Sequence, residues 1–177
     1  MKLEFPLEFT DTIEELLNYN QLQDMHQYVQ HGGTSTFEHC LMVSYCSYRT
    51  AKVLPGHFDY KSLVRGAMLH DFYLYDWHVP HHSHRLHGFS HAKCALDNAS
   101  KLLTLNKTEA DIIEHHMWPL TLRKYPRSKE AFLVCMVDKY CSLAETFHLK
   151  RYKIKLKHLY YICVENNKRK NISCKER

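Results

Sequence analysis

Between residues 70 and 91 the chain carries seven histidines, and the first of them, His70, directly precedes Asp71. Further imidazoles and carboxylates stand at His39, His115, His116 and Asp138. Imidazole nitrogen and carboxylate oxygen together suit Fe, Mn, Co, Ni or Zn, whereas Mg²⁺ and Ca²⁺ prefer shells made of oxygen alone. The deciding question is whether these residues lie on the face of a helix that packs, at offsets of three, four and seven from apolar neighbours, or on the solvated face. His39 shares a stripe with Val43, Cys46 and Val53, His70 follows Leu63 and Ala67, and Asp71 follows Val64 and Met68. His91 aligns with Cys94, Ala95, Asn98 and Leu102, His116 with Ile112 and Ile113, and Asp138 with Ala131, Val134 and Cys135. Five helices therefore each bring His or Asp to the buried side.

Taken singly, each residue is weak. A lone inward histidine is usually a hydrogen-bonded core residue, Asp138 alone reads equally well as a salt-bridge partner, and a His-Asp dipeptide is expected about once by chance in so histidine-rich a chain. Burying five such sets together is different, because an isolated buried carboxylate costs several kcal/mol unless it is paired or coordinates something. Four His and two Asp supply enough ligands for two divalent ions with one bridging carboxylate and with positions left for water and substrate.

The elements that must position these groups announce themselves by capping chemistry. Asp11 with Glu14, Ser35 with Glu38 and Asn106 with Glu109 each match the box in which an N-cap oxygen and a carboxylate three residues later satisfy free backbone N–H groups. Gly32 and Gly33 precede one helix, Pro55 and Gly56 follow it, and Pro80 and Pro119 stop later ones. The pattern predicts helices over 11–19, 36–53, 60–73, 91–104, 107–117, 129–147 and 152–167, with a short helix near 21–30. "YKIKLK" alternates with strand period but is too isolated to build a sheet.

At 177 residues, 45% hydrophobic and 24% charged, with only 5 Gly and 5 Pro, the chain is expected to form one all-α domain. Residues 1–30 read as an N-terminal helical segment, 31–148 as the metal-binding core, and 149–177 as a basic helix or tail that packs on or extends it. No apolar stretch approaches the ~20 residues that cross a bilayer, and acids interrupt the N-terminus, so a cytoplasmic protein without a membrane partner is expected. Seven cysteines without a CxxC pair are expected to be reduced. The net charge of +5 is uneven: residues 149–177 hold ten Lys or Arg against two Glu. Such a tail can track a nucleic-acid backbone, but the favoured reading is an amphipathic helix with Leu156, Leu159, Tyr160 and Cys163 packed and the lysines solvated.

The order His39, His70-Asp71, His91, His115-His116, Asp138 resembles the HD domain superfamily of metal-dependent phosphohydrolases. The segments "RGAMLHDFYLYDWH", "FSHAKCALDNA", "IIEHHMWPL" and "VDKYCSLAE" look like a small bacterial branch described only as HD domain proteins or predicted hydrolases, and the likeness spans about residues 31–147. The resemblance implies an all-helical bundle in which His39, His70, Asp71 and Asp138 hold one ion, Asp71 is the bridging and catalytic candidate, and His91 and His116 complete a second site. His116 is preferred to His115 because it lies nearer the centre of its apolar stripe, although in double-histidine branches of the superfamily either or both can ligate. The chain departs from many relatives after the pair, where "HDFYLYDW" replaces a glycine and a lysine or glutamate, and it lacks the longer signature of the cyclic-dinucleotide branch.

What the resemblance implies for function is hydrolysis of a phosphomonoester or phosphodiester, on a phosphorylated small molecule or nucleotide, by metal-activated water with two divalent ions. His87, His115 and Lys139 are candidates for phosphate contact or support of the ligands. The loop histidines His78, His81, His82 and His84 read as a polar surface loop. Two alternatives remain at this stage: di-iron oxygenase chemistry on the same scaffold, and a metal-sensing module without a productive substrate pocket.

Overall fold

A computed structural model describes residues 5–31, 33–78 and 87–165 of the chain. The fold is all-α: α1 (Leu7–Leu17), a 3₁₀ helix (Asn20–Gln27), α2 (Thr36–Ala51), α3 (Tyr60–Leu69), α4 (His87–Leu102), α5 (Lys107–His115), α6 (Lys129–Thr146) and α7 (Lys150–Tyr160), which runs into a π turn over Tyr161–Glu165. A short antiparallel pair, β1 (Val29–His31) and β2 (Thr34–Ser35), leads into α2. None of the helices is long and apolar enough to cross a membrane among the described residues.

Helix α2 is the axis of the bundle. It buries residues all round, including Phe37, Leu41, Val43, Tyr45 and Tyr48, and packs against α3, α6, α7 and the 3₁₀ helix. A helix apolar on every side can satisfy that pattern only in the middle of a core. The Ser35–Glu38 box closes its first turn in both directions, as the Asn106–Glu109 box does for α5. Asp59 caps α3 and Ser128 caps α6.

Four expectations differ from the structure. α1 starts after Pro6, so Asp11 lies inside the helix and does not cap it; Phe9, Ile13 and Leu16 set the buried face and pull the helix start forward of the box. α3 ends at Leu69, with His70 as its C-cap and Asp71 beyond, four residues short of the predicted end. α4 begins at His87 and not at 91. The β pair was not expected, because two- and three-residue strands carry no measurable alternation. "YKIKLK" lies in α7, where Tyr152, Leu156, Leu159 and Cys163 are buried and Lys153 and Lys157 exposed. The six described cysteines are free; Cys174 lies outside the described residues.

One close approach matters for the site. A Cβ built on Gly66 of α3 would lie 2.7 Å from Ile112 Cδ1 and 2.9 Å from Ile112 Cβ on α5. Only a residue without a side chain lets these two helices pack so tightly. Their C-terminal ends carry His70-Asp71 and His116. Arg65, one residue earlier, is buried and bridges to Glu109 of α5 at 2.5 Å and Glu15 of α1 at 3.1 Å, tying the three helices together.

Candidate metal centre

His39 from α2, His70 and Asp71 from the end of α3, His91 from α4, His116 at the C-cap of α5 and Asp138 from α6 converge on one buried cluster. Asp71 is its centre. Its Oδ2 faces His70 Nε2 at 3.5 Å and His39 Nε2 at 4.0 Å, while its Oδ1 faces His91 Nε2 at 3.2 Å and His116 Nε2 at 3.4 Å. Asp138 Oδ1 lies 3.0 Å from His39 Nε2 and 3.6 Å from His70 Nε2. The Nε2 atoms of His91 and His116 are 2.8 Å apart.

The outer nitrogens fix which way the rings point. His70 Nδ1–H donates to Ala67 O at 2.7 Å and His116 Nδ1–H to Ile113 O at 2.9 Å, the carbonyls three residues back in their own helices. Each Nε2 lone pair is thereby turned into the cluster, the arrangement typical of ligating imidazoles. His39 instead rests its Nδ1 on Glu145 Oε2 at 2.9 Å, and the Glu145 carboxylate accepts in turn from the Tyr152 hydroxyl. Gln30 of β1 donates to Asp71 Oδ2 at 2.6 Å, and its carbonyl accepts from the Tyr73 hydroxyl.

Buried His70 Nε2 and Asp71 Oδ1 have no hydrogen-bond partner. Polar atoms so deeply placed are normally satisfied, and each that is not carries a desolvation cost of about 1–3 kcal/mol. A cation among these lone pairs and carboxylate oxygens would satisfy both at once. Two overlapping groups have ligand atoms close enough to share an ion, His39, His70 and Asp138, and His70, Asp71 and His116. These buried groups could hold a metal ion.

The titration behaviour of the cluster agrees. Burial opposes charge on His39 and His70, but the facing acids outweigh it: Glu145 and Asp138 for His39, and Asp71 and Asp138, with the Cys40 thiol, for His70, so both rings are held well above their ordinary value. Burial likewise opposes ionisation of Asp71 and Asp138, and the surrounding imidazoles overturn it, holding both carboxyls well below the usual range. His116 is lowered, because burial dominates over its contact with Asp71. Imidazoles raised and carboxyls lowered in one buried cluster mark a site where opposite charges face each other.

The cluster opens on a cavity of about 700 Å³. Asp71, His91, His116 and Asp138 line it together with Gln30, Lys139 and Ser142, and Trp77, Met117, Pro119, Leu120 and Leu143 make its apolar walls. Lys139 Nζ donates to the carbonyls of His116 at 3.0 Å and Cys135 at 3.1 Å, bracing the end of α5 against α6.

Of the remaining sequence candidates, His115 stands apart from the cluster: Asp111 Oδ1 holds its Nδ1 at 2.6 Å, and it lines a separate cavity with Lys107, Glu114 and Arg127. Adjacent helical residues point about 100° apart, so only one of the pair could face inward. His78 is exposed and paired with Asp76. The side chain of His87 and residues His81, His82 and His84 lie outside the described residues. Sequence reasoning missed Gln30, Tyr73, Glu145 and Tyr152. Glu145 alone left a trace, seven residues after Asp138 on the same apolar stripe. No family model, curated protein or solved structure matches the chain.

Proposed function

We propose that the chain is a metal-dependent phosphohydrolase of the HD type. In this reading His39, His70, Asp71 and Asp138 hold one divalent transition ion, and His91, His116 and Asp71 hold a second. The observation that carries the proposal is the position of Asp71, whose two oxygens face two different imidazole pairs, as a bridging carboxylate requires. A bound divalent cation supplies Lewis acidity, bringing the pKa of water toward ~7 and offsetting charge on phosphoryl oxygens.

The chain's own residues do the rest. Gln30 and Glu145 orient Asp71 and His39 from outside, and the carbonyls of Ala67 and Ile113 lock the tautomers of His70 and His116. Tyr73, buried and raised above its ordinary value by that burial and by Asp71, remains a phenol and so remains a donor to Gln30. The apolar walls of the cavity would seat the organic part of a phosphate ester, with its phosphoryl end toward Asp71 and Asp138. The mixed nitrogen and oxygen donors, with no thiolate among them, suit Fe, Mn, Co, Ni or Zn.

The test is metal analysis of anaerobically purified protein together with hydrolysis of a panel of phosphomonoesters, phosphodiesters, nucleotides and cyclic nucleotides. The expected result is bound transition metal and turnover of at least one class, with Asp71→Ala losing both while far-UV circular dichroism keeps its helical signal. Full metal retention in Asp71→Ala would sink the site. Tight metal binding without turnover on any substrate would replace the hydrolase with a binding module, and oxygen consumption by the iron form would replace it with an oxygenase.

A further inference from the structure

Helix α6 faces two ways. Its inner side carries Asp138 and Glu145; its outer side should be polar if it met only water. It is not. Between Glu130 and Glu145 the exposed residues are Phe132, Met136, Tyr140 and Leu143, none of them charged, and Phe147 at the C-cap continues the row. Their exposure ranges from 47% at Met136 to 72% at Phe147. At 3.6 residues per turn, about 100° each, the five fall within an arc of roughly 80°, a single straight stripe over four turns. The nearest cation, Lys139, folds its ammonium onto the carbonyls of His116 and Cys135.

We infer that this stripe is the contact face of a two-fold homodimer, with α6 crossing its own copy near Tyr140. The order of side chains argues for a second copy over any other occupant. Read from either end, the stripe runs aromatic, aliphatic, aromatic, aliphatic, aromatic. A two-fold axis at Tyr140 therefore sets Phe132 against Phe147, Met136 against Leu143 and Tyr140 against Tyr140, large rings meeting rings and flexible aliphatics meeting aliphatics. An isologous interface needs such self-complementarity, and a stripe aimed at an unrelated partner has no reason to be symmetric about its midpoint.

The area is adequate. Leu120, 49% exposed and lining the cavity beside Leu143, extends the patch to six side chains. At about 100 Å² each they offer roughly 600 Å² of apolar core, against the ~800 Å² per partner of a standard interface with its polar rim. Being uncharged, the stripe also meets its copy without like-charge repulsion. Because Leu120 and Leu143 also line the cavity, the second copy stands against its wall.

The full chain should sediment as a dimer between about 1 and 100 μM, at or above the weak, micromolar end of what interfaces of standard size show. Tyr140→Glu, which sets two carboxylates together on the axis, should weaken self-association at least ~100-fold while leaving the helical signal and thermal unfolding of the monomer intact. Tyr140→Lys should do the same, and an equimolar mixture of the two variants should dimerise again, because residue 140 meets residue 140. A wild type that stays monomeric across this range overturns the inference. So does a dimer that survives Tyr140→Glu, or a mixture that fails to reassociate. If the chain ending at residue 165 dimerises and the full chain does not, the occupant is the chain's own C-terminal segment and the inference is likewise overturned.

Discussion

Adding one methyl group to Gly66 tests whether the approach of α3 to α5 is what assembles the cluster. The new Cβ would lie 2.7 Å from Ile112 Cδ1 and 2.9 Å from Ile112 Cβ, where carbon atoms prefer about 3.5–4.0 Å. The contact with Cβ cannot be relieved by rotating a side chain, so the helices must part by several tenths of an ångström. Overpacking costs about 1–3 kcal/mol, and a clash against backbone-fixed carbon belongs in the upper half of that range. Alanine recovers about 1 kcal/mol through its better helix propensity. The expected net loss for Gly66→Ala is about 1–2 kcal/mol, or a fall in Tm of about 2–8 °C for a domain of this size. Since Asp71 Oδ1 and His116 Nε2 sit 3.4 Å apart at the ends of these two helices, metal affinity should fall by roughly tenfold as well. Thermal unfolding and isothermal titration with Mn²⁺ measure the two effects. In an Ile112→Ala background, which removes Cδ1 and Cγ2, the added methyl should cost less. A Gly66→Ala protein as stable as wild type with unchanged affinity would refute the claim that this contact sets the separation of the ligands.

Two further predictions concern the ligands themselves. His39 and His70 are held well above the ordinary 6.5, so in the metal-free chain both carry protons at neutral pH, and a metal must displace them. Affinity should therefore rise with pH and level off above the raised values, with proton release seen as a dependence of the titration enthalpy on buffer ionisation; a flat profile between about pH 5.5 and 8.5 would contradict this. Glu145→Gln keeps an acceptor for His39 Nδ1–H but removes its charge, and should raise the metal Kd about 10–100-fold without changing the fold, as read by calorimetry and circular dichroism. Unchanged affinity would mean that Glu145 only fills space.

The ligand row was visible in one dimension because each residue sits on an apolar stripe, and helical period converts such spacing into a facing direction. Asp71 is the limiting case: α3 ends at Leu69, yet the turn beyond keeps the carboxylate pointed inward. The supporting groups left less trace. Gln30 belongs to a three-residue strand, too short to have a period, and reaches Asp71 across 41 positions of sequence. Tyr152 read as part of a lysine-rich segment; its hydroxyl finds Glu145 only because α7 folds back onto α6.

The sequence by itself determined most of the helices, two of the three capping boxes it offered, and the fact that five elements bury an ionisable side chain, because these are matters of local backbone chemistry and of period. Only the tertiary structure decided that Gln30, Glu145 and Tyr152 brace the cluster, how far apart its imidazoles and carboxylates stand, and that α6 leaves an apolar row uncovered. Those depend on how far apart packed helices come to rest, a distance set by side-chain volumes such as the missing one at Gly66, and no pattern along a single chain carries it.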